Sequence, residues 1–579
     1  MKYKQFIERP GVDIVDNVLL NRGIQPEDLE QWKNATIDMV QSWQDLDHIQ
    51  EFCAALNYAL MNNQNVAFVV DPDCDGLTSS AIMINFLYSL SKKFCYEHVT
   101  YIMHQGKQHG LEDITIPDDV DLVVVMDAGT NDVECQRRLR KAGKTVIIGD
   151  HHECDNPCYD YAIIVNNQLS KKYRNKDLSG AGIAWQICRA YNDIYNTFGK
   201  VEMDMAALGL TGDMMAYNSL ETRAIVSNGL KRIMNNFLEK VIQKKDYNIR
   251  HSGGVHYHSI AFYVVPYINA VIRVGTQAEK ELIFKAMLDM YAHQHIQSTK
   301  RGEVGKYVDL VDEALLITDR AKRKQNQIQD EMVALAEDQI RQYNLLDHPV
   351  LVICFDSSYQ YMSSMLGVIA NKLQSLYSRP VFLFIQNDQE LKGSARNCAK
   401  SDIEDLRGYC RESGLFSLAE GHASAFGVQM DVANLPAFLQ KVDREIEVVA
   451  EPTYLVDYVW TLDTIQTKNV LHLGGHKDYW GQQVDEPLVV LRDVRIDKVR
   501  TELMSPDDKP TTKIILPNGV ELIKFQSSMH EKDWFNKMYK FTIVGKCSRN
   551  EYMNNIKPQI IIEDWEVQDI TKDNYDWSF

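Results

Sequence analysis

The run Asp71-Pro72-Asp73-Cys74-Asp75-Gly76-Leu77-Thr78 sets three carboxylates on alternate positions directly after the apolar segment 66–70, VAFVV. Carboxylates packed so closely repel one another unless a cation sits among them. The apolar run 122–126, LVVVM, ends in Asp127 followed by Ala128-Gly129, and 145–148, TVII, leads into Asp150-His151-His152. A further acid, Asp213 in LGLTGDMMAY, also follows an apolar stretch. Oxygen ligands joined by one or two imidazoles favour Mn²⁺ or Mg²⁺ over zinc, which more often recruits thiolate. Two such ions bridged by a shared carboxylate would perform metal-dependent phosphoryl chemistry.

Taken singly, an Asp after a strand is most often a turn former or a helix cap. Three successive strand ends carrying acids weaken that reading. A calcium loop is disfavoured because no Glu stands at its twelfth position and a strand precedes it. His151, His152, Cys154 and Cys158 match no common zinc spacing. Gly180-Ala181-Gly182 lacks the third glycine of a dinucleotide fingerprint and the strand that should lead into it, so close helix packing explains it better.

The elements that must position these groups are short and apolar. Segments 66–70, 122–126, 145–148 and 162–165 read as buried parallel strands. Thr78 to Leu90 reads as a helix returning across the sheet. In an open parallel sheet the carboxyl ends of the strands line one crevice, where the acids and both histidines would converge. Lys306 to Asn344 contains no Pro or Gly, and Ile328, Met332 and Leu335 share one helical face, which predicts a single long helix. A second α/β pattern starts at PVLVICF after Pro349 and runs to about residue 450. Beyond residue 451 the segments Leu488–Val494, Lys513–Leu516, Val520–Phe525, Tyr539–Val544 and Gln559–Glu563 predict a small five-stranded barrel of the oligonucleotide-binding form. The expected organisation is an α/β chain with an N-terminal segment at 1–45, a catalytic parallel-sheet domain at 46–275, connecting helices at 276–345, a second α/β domain at 346–450 and the barrel at 451–579.

At 579 residues the chain exceeds one hydrophobic core, and its 45% hydrophobic and 25% charged content is that of an ordinary globular protein. A net charge of −18 argues against coating nucleic acid by charge alone, but leaves room for a local basic groove. The stretch around Ile260 to Ile272 is interrupted by Pro266 and Asn269 and is too short to span a bilayer. The eleven cysteines form no CxxC pair, and the N-terminus carries no secretory pattern, so a cytoplasmic protein with reduced thiols and no membrane partner is expected.

In order and spacing, DPDCDG, MDAG, GDHH and GLTGD resemble the motifs of the DHH phosphoesterase superfamily. Within it the chain is similar to the RecJ exonucleases over almost its whole length. LLNRGI at 19–24 resembles their N-terminal segment, and LSGAGIAW at 178–185 resembles their LAGVGVAF stretch. Pro266 to Ala270 with Arg273 resembles PRINAAGR, while LKGSARN at 391–397 and EGHASAFG at 420–427 resemble the KGSGR and GGHxxAAG elements of the DHH-associated domain.

The resemblance implies roles. Asp71, Asp73, Asp75, Asp127, His151 and Asp213 would hold two Mn²⁺ or Mg²⁺ ions, with Asp150 ligating or orienting from behind and His152 contacting the scissile phosphate. Asp127, Asp150 and His152 would carry the catalytic step. Asn269, Arg273, Gly393, Ser394, Arg396, Gly421 and His422 would bind substrate, Ser394 and Arg396 at a terminal phosphate suited to a guanidinium fork. The implied activity is removal of mononucleotides from the 5′ end of single-stranded DNA, in recombination, repair and replication. A single-stranded-DNA-binding protein and a helicase are the implied associates, and a monomer is expected. Trp534, Tyr539, Lys540, Lys546 and Arg549 are the barrel's candidates for stacking and charge tracking.

Departures fall in the substrate elements. Ile272 stands where the family has Gly, Ala395 and Phe426 replace small residues, and Asp356-Ser357 stands in place of a Trp-His pair. Two rival readings are a phosphodiesterase or nanoRNase acting on short oligonucleotides or cyclic dinucleotides, whose members usually lack the long helix and barrel, and a replication scaffold that has lost its metals.

Overall fold

The computed structural model describes the chain except for residues 105–108, 113, 304, 357–361, 399–400, 402, 448–452, 505–509, 528–538, 553–554 and 571–579. The first parallel sheet, expected to carry the catalytic residues, consists of β1 (Val66–Val70), β2 (Val99–Met103), β3 (Leu122–Met126), β4 (Thr145–Asp150) and β5 (Ile163–Asn166), hydrogen-bonded in the order β2-β1-β3-β4-β5. Every pairing is parallel. β1 and β3 are buried at every position, as unbroken apolar runs between two layers of helices should be. The edge strand β2 is only half-buried, and its mixed VTYIM sequence gave no such signal.

The chain leaves β1 toward β2 on one side and returns to β3 on the other. The β1/β3 boundary is therefore the topological switch point, where open α/β sheets leave a crevice at the carboxyl ends of their strands. Val70 pairs with Met126, and Met126 with Gly149, so Asp71, Asp127 and Asp150 emerge at one level beside that crevice. The helices α1 (Cys74–Leu90), α2 (Gly180–Tyr195) and α3 (Met203–Gly212) pack together over one face of the sheet.

The predicted long helix is α4 (Leu310–Gln342), 33 residues and so about 50 Å long. Its first half buries Leu310, Val311, Ala314 and Ile317, and its second half buries Met332, Val333, Ala336 and Ile340. A single core cluster joins these to the helices α1 to α3 at one end and to β6 (Leu351–Asp356) at the other. The second sheet adds β7 (Val381–Asn387), β8 (Glu390–Arg396), β9 (Phe416–His422) and β10 (Ala425–Asp431), in the order β9-β10-β8-β7-β6. Only the β6/β7 pair is parallel.

The C-terminal sheet has seven strands among the described residues rather than the five expected. Tyr458–Trp460 and Arg500–Met504 are the additions; one is very short, and the other carries charges at alternate positions. Two long strands, Tyr539–Tyr552 and Asn555–Asp569, pair antiparallel along their length and form its spine. The N-terminal segment is stitched to this part of the fold. Lys2–Gln5 pairs parallel with Thr453–Val456, and Arg22 donates a two-pronged hydrogen bond to the fully buried Asp457 at 3.0 and 2.9 Å. Among the described residues no helix is long and apolar enough to cross a membrane.

Candidate metal centre

Asp73 begins α1, and its Oδ1 accepts from Gly76 N at 2.8 Å, so the strand-to-helix turn is capped by one of the three acids. The turn is tight enough that a Cβ on Gly76 would lie 2.5 Å from Asp71 Cβ. Asp75 follows within the first turn, and its Oδ1 accepts from Ser179 Oγ at 2.8 Å and Ala181 N at 3.1 Å, both at the start of α2. Asp127 adopts φ 68°, a left-handed conformation that Asp tolerates better than most residues, while its N–H donates to Gly149 O at 2.8 Å. Asp213 closes the set from the end of α3.

Ligand atoms of Asp71, Asp73 and Asp127 lie within 4.8 Å of one another, as do those of Asp75, His151 and Asp213, and those of Asp127, His151 and His152. Asp127 and His151 each belong to two of these groups. His151 Nε2 stands 3.2 Å from Asp127 Oδ1 and 3.5 Å from Asp213 Oδ2. Asp75 Oδ2 and Asp127 Oδ1 are buried with no hydrogen-bond partner. A carboxylate oxygen held in that state is costly unless a cation completes it, so the donor set fits divalent ions. The all-oxygen group suits Mg²⁺ or Mn²⁺, and the group containing His151 suits Mn²⁺.

Asp150 differs from the other acids. Its Oδ1 accepts from His151 N at 2.7 Å, His152 N at 3.2 Å and His152 Nδ1 at 2.8 Å, and its Oδ2 accepts from Thr130 N at 3.0 Å. With four donors in place, this carboxylate is suited to orient His152 rather than to ligate. Asn166 supports the turn by donating to His152 O at 3.0 Å.

The electrostatics follow from crowding. Burial, then the neighbouring Asp71 and Asp75, push the Asp73 carboxyl up to about 6. Burial and the surrounding acids raise Asp127 and Asp213 well above the usual range. Asp150 moves the other way: its buried carboxylate is held below the ordinary range by His152, His151 and Thr130. The hydrogen bond to Asp150 lifts His152 to about 9, whereas burial and His152 depress His151. A neutral His151 keeps a lone pair for a metal.

A cavity of about 430 Å³ opens over the acids, with Asp73, His109, Asp213, Asn269, Ile272 and Arg273 in its wall. Asn269 and Arg273 lie on the helix Val265–Val274, and Asn269 Oδ1 is a buried acceptor without a partner. Ser364, from the second domain's helix Met362–Tyr377, donates to Arg273 O at 2.9 Å and closes the cavity from that side. Burial and Arg273 together depress the Arg396 guanidinium, which places two cations near each other across the cleft. Arg396 donates to Ser394 Oγ at 2.9 Å, and its Nε is buried without a partner. His422, at the end of β9, acts electrostatically on His151.

Other sequence expectations distribute differently. Gly393 faces the strand backbone, where a Cβ would meet Leu383 O, and Gly421, near the end of β9, takes φ +128° where a Cβ would meet Ala425 O at 2.9 Å. Both shape the second domain's strands. Ala395 and Phe426 are paired across β8 and β10 and lie in that domain's core, away from the Ser394 and Arg396 face. Of the described departures only Ile272 reaches the cavity; Asp356 ends β6, and Ser357 lies outside the described residues. Lys540, Lys546 and Arg549 are paired with Asp493, Glu563 and Glu551, Tyr539 packs on the core, and Trp534 lies outside the described residues.

Sequence reasoning missed His109, whose Nδ1 is 2.8 Å from Asp71 Oδ2, because it follows an edge strand and stands in no acidic motif. It also missed Thr130 and Ser179, whose stretches stand out in the sequence only for their glycines and apolar residues. Two glycines keep helices close to the acids: in the second stretch a Cβ on Gly180 would lie 2.5 Å from Asp127 Oδ1, and in α3 one on Gly209 would strike Asp75.

Known proteins resemble this chain in sequence and in fold. The DHH family N-terminal domain matches residues 65–212, and the RecJ OB domain matches residues 456–564. YorK of the SPbeta prophage in Bacillus subtilis is 33% identical over 572 residues, covering 96% of both chains. The single-stranded-DNA-specific exonuclease RecJ of the same organism is 22% identical over 90% of this chain and 64% of its own length. The crystal structure of RecJ from Thermus thermophilus in complex with Mn²⁺ superposes with a TM-score of 0.71 at 20% identity, over 98% of this chain and 79% of that one.

Proposed function

This chain belongs to the RecJ family of DHH phosphoesterases, and on that premise we propose that it is a metal-dependent exonuclease that releases 5′-mononucleotides from the 5′ end of single-stranded DNA. The observation that carries the reading is the pair of buried, unpartnered oxygens, Asp75 Oδ2 and Asp127 Oδ1, at the switch point of the sheet beneath a cleft lined by Asn269 and Arg273. Asp71, Asp73, Asp75, Asp127, His151 and Asp213 would hold two Mn²⁺ or Mg²⁺ ions. When bound, such ions supply a nucleophile at neutral pH and neutralise charge on the phosphate.

The chain's own groups do the rest. Asp150 holds the His152 ring by Nδ1, so Nε2 faces away from it toward the phosphate that enters the cleft. Arg273 and Arg396 bind phosphate from the two sides, and Ser394 steadies Arg396. The Ser364 bond to Arg273 O draws the second domain over the catalytic one, and a cavity of about 430 Å³ suits a single strand rather than a duplex. The long helix and C-terminal sheet favour a long-strand substrate over a dinucleotide. A single-stranded-DNA-binding protein and a helicase fit as associates of a monomeric enzyme of this kind.

One assay tests the reading: purified protein with Mn²⁺ on 5′- and 3′-labelled single strands, duplex DNA and dinucleotides, beside Asp127→Ala. Mononucleotides should appear first from the 5′ label, and Asp127→Ala should be inactive. Cleavage of dinucleotides but not of long strands would sink the exonuclease assignment, and full activity in Asp127→Ala would sink the metal assignment.

A further inference from the structure

Two carboxylates of the site each hold an imidazole by Nδ1 at 2.8 Å: Asp150 holds His152, and Asp71 holds His109. The pairs differ in what remains free. Asp150 has four donors. Asp71 accepts from His109 Nδ1 on Oδ2 and, at 3.3 Å, from Gly110 N on Oδ1. One donor per oxygen leaves each with a lone pair, and Asp71 sits with Asp73 and Asp127 in the all-oxygen group. An ionised carboxylate only accepts, so His109 Nδ1 carries the hydrogen of this bond. The Asp71 side chain is 5% exposed and that of His109 64%, so the imidazole caps a buried acid from the cavity side.

The neighbourhood fixes His109 in place. Leu111 N donates to Asp132 Oδ2 at 2.6 Å, and a Cβ on Gly110 would collide with that same carboxylate. Asp132 is the residue preceding the helix Val133–Lys141, so Leu111, two residues after His109, is anchored to the start of that helix. Asp71 has no other side-chain donor among the described residues, so its orientation depends on this imidazole.

We propose that His109 is the positioning residue of one metal site only: it locks Asp71 toward the ion shared with Asp73 and Asp127 and leaves the ion of Asp75, His151 and Asp213 untouched. This rests on the two-ion reading above. Partners that orient a ligand from behind typically change metal affinity by about 10- to 100-fold. The two ions should therefore be separable through a residue that ligates neither.

The test is a Mn²⁺ titration of metal-stripped protein, followed by calorimetry and by the electron paramagnetic resonance signal of free Mn²⁺, on wild type, His109→Ala, His109→Asn and Asp127→Ala. The Asn amide nitrogen can take the place of Nδ1. Wild type should bind two ions. His109→Ala should keep one at wild-type affinity and bind the other at least 10-fold more weakly, and His109→Asn should recover most of that loss. Unchanged two-ion binding in His109→Ala would overturn the proposal, as would equal weakening of both ions or a failure of His109→Asn to recover. If His109→Ala does not fold, judged by its circular dichroism, His109→Asn and His109→Phe are compared instead, and equal isotherms for those two overturn it. Wild type that binds no Mn²⁺ would instead sink the two-ion reading itself, a result distinct from every one of these.

Discussion

Gly180 stands directly against Asp127: a Cβ there would lie 2.5 Å from Oδ1, 2.6 Å from Cβ and 2.8 Å from Cα. The first residue of α2 thus sets how closely that helix approaches the strand end carrying Asp127, the proposed shared ligand. Gly180→Ala is expected to push Asp127 aside and lower kcat/KM by about 100-fold, the scale of a misplacement of roughly 1 Å. The melting temperature should fall as well, because the added Cβ overpacks the Asp127 backbone at a cost of about 1–3 kcal/mol. Gly475→Ala, where a Cβ meets nothing within 4 Å, is the matched control and should retain activity. Equal activity in the two variants would refute the packing argument.

Metal binding and protonation compete for the same oxygens. Asp73 sits at about 6 in the metal-free protein, raised from 3.8 by burial, Asp71 and Asp75, and Asp127 and Asp213 move in the same direction. A raised carboxyl favours the folded state most at pH below its unfolded value, and that contribution is lost as pH rises through the folded value. Metal-stripped protein should therefore lose stability from this cluster between about pH 4 and 7, and Mn²⁺ should restore it. The gap in melting temperature between loaded and stripped protein is expected to widen as pH rises, less so in Asp73→Asn. A gap independent of pH would contradict the assignment.

The Asp150 and His152 pair has the opposite sign for its acid. Asp150 is depressed, so its contribution is present above the unfolded value and is lost as pH falls through the folded one. His152 is raised to about 9 from 6.5, so its contribution is complete below 6.5 and is lost as pH rises through about 9. In stripped protein, nuclear magnetic resonance should find His152 titrating far above an ordinary imidazole, and Asp150→Asn should bring it back toward 6.5. An unchanged titration in Asp150→Asn would show that the pair is not coupled.

Much of this was legible before the fold. Buried strands with no polar interruption, 66–70 and 122–126, could only be central strands, and acids at their ends could only meet at one crevice. The helix at 310–342 was legible because nothing in it breaks a helix. What could not be read was anything depending on contact between distant segments. His109 meets Asp71 across a crossover of 38 residues, Ser179 meets Asp75 across 104, and Arg22 meets Asp457 across 435. Local pattern carries no information on such pairs. Gly180 reads in the sequence as a packing residue, but that it packs on Asp127 needed the fold. The Ala395 and Phe426 departures looked disruptive in a linear motif, and strand alternation turns both into the second domain's core.

Alternation on β8 also yields the last prediction, since it sends Ser394 and Arg396 to one face, opposite Ala395. Arg396 has a buried Nε without a partner and is depressed by burial and by Arg273 across the cleft. Two cations in that relation are at their most stable with an anion between them, and a terminal phosphate supplies one. Hydrogen bonds to charged groups are worth about 1.5–3 kcal/mol, so Arg396→Ala should lower kcat/KM on 5′-phosphorylated strands by roughly 10- to 100-fold. On 5′-hydroxyl strands the same substitution should cost much less, because the group it would bind is missing. Arg396→Lys should remain impaired on phosphorylated strands, because an ammonium cannot reproduce the fork. A loss of the same size on both kinds of strand would place Arg396 outside the terminal-phosphate site and leave it a role in holding the domains together.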